Sequence, residues 1–306
     1  MGGSTDSRMS KKSDKTQLLK VIGDINKKHG AESIKFAKDE PKKERIPFGV
    51  QKIDEFIGGG VQRGNFTIVY GAERTGKSTL AYMLIASAQK RDLTCVYIDL
   101  EHSFDAERAA IFEVDLDKLI LMENIETAEQ AMDIVMKLCE EKVVDVIIVD
   151  SVQAMSPKQE LLDKSGDSKS LEDDTMALLA RKLGQFFRMS ASRVYRAKVA
   201  VLMVGQVRTQ GIGTFITKLG LSGGHALKHW SIMTLYMRKG QGVDAPTRTE
   251  VVEGKKEKVK VGFDCVVVLE KTKVTGSKIE GSEIHLPFRF ETGFLETKEK
   301  VNEEAE

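Results

Sequence analysis

The sequence predicts an α/β fold: a mostly parallel central sheet flanked by helices, with a β extension toward the C-terminus. Three observations predict it. Segments of strand and helix character alternate from residue 65 to residue 205, the order expected of parallel strands joined by helical crossovers. Several strands are apolar throughout, as in Val146-Ile147-Ile148-Val149, and burial on both faces marks a sheet covered by helices on each side. A glycine-rich turn then sits between the first of these strands and the helix after it.

In chain order, residues 1–14 are rich in Ser, Lys and Gly and are expected to be disordered. Leu18, Val21, Ile22 and Ile25 recur at helical spacing up to His29-Gly30, which predicts a helix with a glycine stop. Residues 35–45 are a charged linker. Residues 15–45 thus read as a helix held away from the main domain, able to dock on a neighbouring subunit or to fold back on its own core. The main domain covers residues 46–294. It begins with a strand at 65–70, a helix at 77–90, a strand at 93–99, a short helix and a strand at 118–122. A helix opened by Thr127, with Gln130 in capping-box position, leads to a strand at 143–150, a helix at 175–196 and a strand at 199–205. Residues 155–174 and 207–224 are long, polar or glycine-rich, and each follows a strand end. Loops of that kind at the carboxyl edge of a parallel sheet are where ligands bind. Past Ser231 the pattern turns to β at 232–237, 259–270 and 284–290, interrupted by a Lys/Glu-rich excursion at 240–258. Residues 295–306 form an acidic tail.

Composition bounds the class. A length of 306 residues suits one large domain, or one with a small appendage, and 41% apolar with 30% charged residues suits a soluble globular chain. No apolar run approaches the ~20 residues of a membrane span, and the polar N-terminus is no signal peptide. A cytoplasmic protein with no membrane partner is expected. Cys95, Cys139 and Cys265 lie far apart and read as reduced, buried small hydrophobes rather than a disulfide framework or metal site. A net charge of +1 hides an asymmetry. From Thr175 to Val243 there is no Asp or Glu, while Arg181, Lys182, Arg188, Arg193, Arg196, Lys198, Arg208, Lys218, Lys228, Arg238 and Lys239 all fall there. Such segregation suggests a surface for an anionic polymer; the plainer alternative is solvated helix faces and salt-bridge partners.

Gly71-Ala72-Glu73-Arg74-Thr75-Gly76-Lys77-Ser78 fits the pattern GxxxxGK[ST], with a strand before it and, from Lys77, a helix whose Thr79 joins the candidate nucleotide contacts. The glycines let backbone N–H groups turn inward around phosphate oxygens, and the helix N-terminus adds partial positive charge. Lys77 is placed to reach the β- and γ-phosphates of ATP, and the Ser78 hydroxyl to ligate Mg²⁺. A second acid must hold the metal, and Asp150, closing a strand, is the candidate. Glu101, just past the strand ending at Asp99, is placed to orient a nucleophilic water as general base; Asp99 competes for that role or caps the strand end. Gln206 closes a further strand and suits sensing of a γ-phosphate; capping its loop is the alternative.

These residues resemble the RecA family of homologous-recombination ATPases. Tyr97-Ile98-Asp99-Leu100-Glu101-His102 resembles the family's segment carrying the catalytic Glu. Ile147-Ile148-Val149-Asp150-Ser151-Val152 resembles its metal-site strand, and Gly205-Gln206-Val207-Arg208 its sensor strand. Gly223-Gly224-His225-Ala226-Leu227-Lys228 resembles the close of its second DNA-binding loop, and the likeness runs from about residue 17 to residue 294. The resemblance implies a RecA-like P-loop core preceded by an oligomerisation helix, from a bacterial or phage-infected cell. It implies a DNA-dependent ATPase that forms filaments on single-stranded DNA and pairs it with homologous double-stranded DNA. It also implies that 155–174 and 207–224 are the DNA loops. Arg181, Arg188, Arg208, Lys228, Gly223, Gly224 and the loop aromatic Phe215 are then DNA contacts, and Lys271 and Lys273 reach the γ-phosphate across a subunit interface.

The sequence also departs from the family. Arg108 stands where bacterial members carry an adenine-stacking Tyr, while Asp105 remains where the family contacts the adenine amine. The first DNA loop and the excursion at 240–258 are longer than in bacterial members, and His229 replaces an aromatic. The sequence ends near the close of the ATPase core, with no counterpart expected for the bacterial C-terminal domain. His225 and His229 are four apart, but no third ligand makes a metal site of them. Two other readings are a recombination mediator that uses ATP as a switch, and another RecA-fold motor such as a ring helicase. Retention of Glu101, Gln206 and both lysines argues against the first, and the Gly-Gly-His-Ala-Leu-Lys segment against the second.

Overall fold

The computed structural model describes residues 6–30, 34–161, 178–210, 218–221, 225–240, 245–252 and 255–295. The chain divides into two compact units, Met1–Lys43 and Glu44–Glu306. In the first, helix α1 (Asp6–His29) stops where Gly30 takes φ +104°. It begins at Asp6, so most of the stretch expected to be disordered is helical. That stretch contains neither Gly nor Pro after Gly3, so nothing in the backbone interrupts the helix. Beyond it, the Asn26 amide and the Ile34 backbone bond each other at 2.9 and 2.8 Å, tying the following turn back to α1.

The second unit opens with β1 (Arg45–Ile46), α2 (Gln51–Ile57) and β2 (Val61–Gln62), which pairs antiparallel with β1. There follow β3 (Asn65–Gly71), α3 (Lys77–Gln89), β4 (Cys95–Asp99), α4 (Ala106–Ile111), β5 (Leu119–Met122), α5 (Ala128–Glu141) and β6 (Val146–Asp150). Next come α6 (Lys158–Leu161), α7 (Leu178–Ala197), β7 (Ala200–Gln210), β8 (Lys218–Leu221) and α8 (His225–Trp230). The chain then runs through β9 (Met233–Lys239), β10 (Thr247–Val252), β11 (Lys255–Lys260), β12 (Gly262–Thr272), β13 (Glu283–Arg289) and β14 (Gly293–Phe294). The main sheet has the order β14-β13-β12-β9-β3-β7-β6-β4-β5. From β9 to β5 the pairs are parallel, while β12, β13 and β14 add on antiparallel. The expected mostly parallel sheet with a β extension is therefore the fold.

Both faces of that sheet are buried, as its apolar strands require. Val146 and Ile148 of β6 join α2 and α3 on one side, while Ile147 and Val149 join α5, α7 and α8 on the other. On α5, Ala128, Ala131, Met132, Val135 and Cys139 make the buried stripe, and Thr127 caps the helix by accepting the Gln130 N–H at 3.1 Å. Phe187 of α7 is fully buried and meets Phe66 edge-on at 4.9 Å.

Several boundaries differ from expectation for a physical reason. Strands expected from 93 and 143 start later, because the residues before them are held by Asp145. Its carboxylate accepts from Arg63 at 2.5 Å and from the Thr94 N–H at 3.0 Å, clamping the amino edge of the sheet. The strand expected at 259–270 is two strands, and the excursion at 240–258 folds as the β10–β11 hairpin, whose register from Thr247↔Lys260 to Val252↔Lys255 pairs its backbone groups. The loop expected at 207–224 begins as a ladder, with Val207 opposite Leu221 and Gln210 opposite Lys218. The first loop opens with α6; the rest of it, residues 162–174, and the acidic tail from 296 lie outside the described residues.

At the outer part of the sheet, the buried Asp264 carboxylate on β12 pairs with His285 Nδ1 at 2.7 Å. That contact raises the His285 pKa above its ordinary 6.5. Stability from the pair is present below that ordinary value and lost as pH rises through the raised one. The melting-temperature difference between wild type and His285→Asn is therefore expected to be largest at about pH 6 and to shrink above it; a pH-independent difference would contradict the pairing. Phe187→Ala is expected to cost about 3–5 kcal/mol in urea unfolding, and a loss under about 1 kcal/mol would mean the site collapses around the deletion.

Candidate active site and nucleic-acid interface

Parallel pairing brings the proposed machinery to one edge. Gly71 at the end of β3 lies opposite Gln206 of β7, and Asp99 at the end of β4 lies opposite Asp150 of β6. The loop of residues 72–76 leaves β3 and enters α3 at Lys77. Two glycines there admit no side chain. A Cβ on Gly71 would sit 2.1 Å from the Met237 carbonyl oxygen, and one on Gly76, where φ is +91°, 2.9 Å from Phe288 Cε2. Thr75 Oγ1 donates to the Ala72 carbonyl at 2.9 Å and Lys77 Nζ donates to the same oxygen at 2.7 Å, closing the loop on itself. Glu73 and Arg74 are exposed at its tip, and Thr79 is buried on the first turn of α3.

Asp150 is the buried acid of the site. Its Oδ2 accepts from Ser78 Oγ at 2.9 Å and from the Tyr97 hydroxyl at 2.7 Å. Burial raises its pKa, opposed by those two hydrogen bonds and by Lys77. Lys77 is pushed the other way, downward, by its own burial, with Asp150, Glu101 and Glu73 opposing. A buried carboxylate and a hydroxyl side by side are hard oxygen donors of the kind Mg²⁺ takes. No cluster of three or more His, Cys, Asp or Glu able to hold a metal occurs among the described residues. Tyr97 was not anticipated, although a Tyr inside a fully buried strand needs a partner for its hydroxyl.

Glu101 Oε1 accepts from Gln206 Nε2 at 2.9 Å and from the Ser151 hydroxyl. The structure thus joins Glu101 directly to Gln206. Gln153 locks the latter in place: its Oε1 accepts the Gln206 N–H at 2.8 Å and its Nε2 donates to the Gln206 carbonyl at 3.3 Å. Nothing in the sequence singles out Gln153, which is placed by the turn after Asp150. Asp99, the competitor of Glu101, instead accepts from the Glu101 and Phe104 backbone N–H groups at 3.2 and 2.7 Å. It is a fully buried cap of its strand end.

Beside the loop lies a cleft of about 320 Å³ lined by Arg74, Thr75, Gly76, Lys77, Ser78 and Thr79, by Arg108, and by Phe263, Phe288 and Phe290. Arg108 donates to the Phe290 carbonyl at 3.1 Å and to Thr79 Oγ1 at 3.4 Å, with its guanidinium 5.4 Å from the Phe112 ring. Asp105 caps α4, accepting the Arg108 N–H at 2.9 Å. Phe263 lies on β12, Phe288 on β13 and Phe290 just after β13, far along the chain, and none carries a local signal.

Lys271 Nζ donates to the carbonyls of His229 at 2.8 Å, Ser231 at 2.6 Å and Lys228, capping the C-terminal end of α8. The Lys273 side chain is exposed. Among the cations expected to form one surface, five pair with acids brought in by the fold: Lys182 with Glu129, Arg193 with Glu140, Lys198 with Glu44, Lys228 with Glu270 and Arg238 with Glu283. For these the salt-bridge alternative holds. Arg181 and Arg188 are exposed on α7 without an ion-pair partner among the described residues. Arg208 lies on β7 opposite Gly220; Phe215, Gly223 and Gly224 lie outside the described residues.

A family profile described as the RecA N-terminal domain matches residues 16–275. Protein RecA of Petrotoga mobilis (strain DSM 10674 / SJ95) is 34% identical over 270 residues, which cover 87% of this chain and 68% of that protein. Protein RecA of Saccharopolyspora erythraea is 34% identical over 253 residues, covering 79% and 71% respectively.

If Gln153 positions Gln206, Gln153→Ala is expected to lower ATP turnover about fivefold, the scale of one lost hydrogen bond, with nucleotide affinity little changed. Steady-state kinetics beside a nucleotide-binding titration would measure this, and unchanged turnover would remove Gln153 from the site.

Proposed function

Since the chain belongs to the RecA family, we propose that it is a DNA-dependent ATPase that acts as a recombinase, forming filaments on single-stranded DNA and pairing it with homologous duplex. The observation that carries this reading is the Gln206–Glu101 hydrogen bond of 2.9 Å. Gln206 sits on β7, the strand that continues to Gln210 and into the ladder with β8. A displacement of the second DNA loop is therefore transmitted along one strand to the group that touches Glu101.

In this reading ATP lies with its phosphates in the loop of residues 71–78 and its base in the cleft beside Arg108 and the phenylalanines. Lys77 exchanges the Ala72 carbonyl for phosphate oxygens, which relieves the cost of its buried charge. Ser78 and Asp150 would hold Mg²⁺, which would supply charge neutralisation for the phosphates. Glu101 accepts a proton from the attacking water. Two donors on Oε1 orient its carboxylate, and Gln206 leaves that oxygen to bond the γ-phosphate when DNA is bound. Lys271 and Lys273 act across a subunit interface, where added cations stabilise the charge developing on the transferred phosphoryl group. Arg181, Arg188, Arg208 and Lys228 contact the DNA backbone, with Phe215 against the bases and Gly223 and Gly224 at the close of the loop. The first unit, with Leu18, Leu19 and Val21 exposed on α1, docks on a neighbouring subunit.

Wild-type ATP hydrolysis is expected to rise sharply with single-stranded DNA, and electron microscopy with ATP and that DNA to display helical filaments. DNA-independent turnover by a discrete ring would overturn the recombinase reading. Glu101→Gln should keep nucleotide binding and lose about 10²-fold or more in turnover, the scale of a lost general base; wild-type turnover in that variant would take Glu101 out of the mechanism.

A further inference from the structure

The register of β12 against β9 breaks between Leu269 and Lys271: Leu269 faces Leu235, Lys271 faces Thr234, and Glu270 is the extra residue. In a regular strand, consecutive side chains point to opposite faces; a bulge re-aims one of them. Here both neighbours reach α8. The Glu270 carboxylate pairs with Lys228 Nζ at 3.1 Å, and Lys271 Nζ caps the carbonyls of Lys228, His229 and Ser231. Burial, and after it the Glu270 carboxylate, push the pKa of the Tyr70 hydroxyl upward. Tyr70 is the last residue before Gly71, and its ring packs on Tyr236 at 5.0 Å. One carboxylate thus pairs with the helix that closes the second DNA loop, its charge is felt at the strand that opens the phosphate loop, and its chain neighbour is Lys271.

We propose that Glu270 is a positioning residue that holds Lys228 and α8 against the β12 bulge in the DNA-free chain, and that single-stranded DNA phosphate competes with it for Lys228. The inference rests on the recombinase reading, which makes Lys228 a DNA contact. An ammonium cannot be neutralised fully by a carboxylate and a phosphate at once, so the two partners exclude one another in proportion to their charge. Capture of Lys228 by DNA frees Glu270 and loosens α8. It thereby changes the surroundings of Lys271 and of Tyr70 at the entrance to the phosphate loop. By linkage, whatever the ion pair costs DNA binding, DNA binding costs the ion pair.

The test uses the full chain with a dye-labelled oligo-dT probe, in wild type, Glu270→Gln, Lys228→Gln and the double variant, each checked for an unchanged thermal melt. Glu270→Gln is expected to tighten oligo-dT binding about two- to fivefold at low salt, the range for releasing one exposed ion pair, and to lower the DNA concentration that half-stimulates ATP hydrolysis. In the Lys228→Gln background the same substitution should change neither. Unaltered or weaker binding by Glu270→Gln would overturn the proposal, as would an equal gain without Lys228. Wild-type turnover that ignores single-stranded DNA overturns the recombinase reading itself. Stimulated wild type with a silent Glu270→Gln removes only the role of Glu270.

Discussion

The site depends on a carboxylate buried where no bare charge is stable. Asp150 closes β6 at the carboxyl edge of the sheet, and three contacts make its position tolerable: the Ser78 hydroxyl, the Tyr97 hydroxyl and the charge of Lys77. Each of those partners is itself constrained by Asp150. Ser78 is fixed on the first turn of α3, Tyr97 is drawn inward from β4, and Lys77 keeps a buried ammonium beside a buried acid. The strand order β3-β7-β6-β4 is what brings these ends together, and the apolar faces packed on both sides keep water from screening them.

Around that buried group the exposed machinery is arranged in a single line. Glu101 extends from the turn that Asp99 caps, Gln206 meets it from β7, and Gln153 pins the backbone of Gln206. A side-chain amide bonded to both backbone groups of one residue acts as a short extra rung of sheet. It fixes the main chain of Gln206 while leaving its own side chain free to change partner. That combination belongs to a residue whose strand runs on into the β7–β8 ladder.

The cations teach a different lesson about charge. A stretch free of Asp and Glu from Thr175 to Val243 looks like a single basic surface only as long as the chain is read in one dimension. Folded, Lys182, Arg193, Lys198, Lys228 and Arg238 each meet an acid from a remote segment, while Arg181, Arg188 and Arg196 on α7 and Lys239 on β9 are exposed. Segregation along the sequence is compatible with pairing in space, since the acids come from elements that pack against this stretch.

Much of the fold and part of the site were legible in advance because the signals were local. Apolar runs with no polar face required burial on both sides, and Gly71 to Ser78 needed only their own backbone and the flanking strand and helix to declare a phosphate cradle. The shared edge of Asp150, Glu101 and Gln206 was legible because residues at strand ends come together once the strands are parallel. What the sequence could not settle was anything decided by contact between distant segments. Glu101 bonding Gln206, Gln153 behind it, the phenylalanines of the cleft and the ion pairs of the cations all depend on which strands lie side by side. The bulge at Glu270 was hidden for the same reason, since an extra residue in a strand is defined only against its neighbour. Local chemistry along the chain therefore determined what the residues of this protein are equipped to do, and the three-dimensional pairing decided which of them act together.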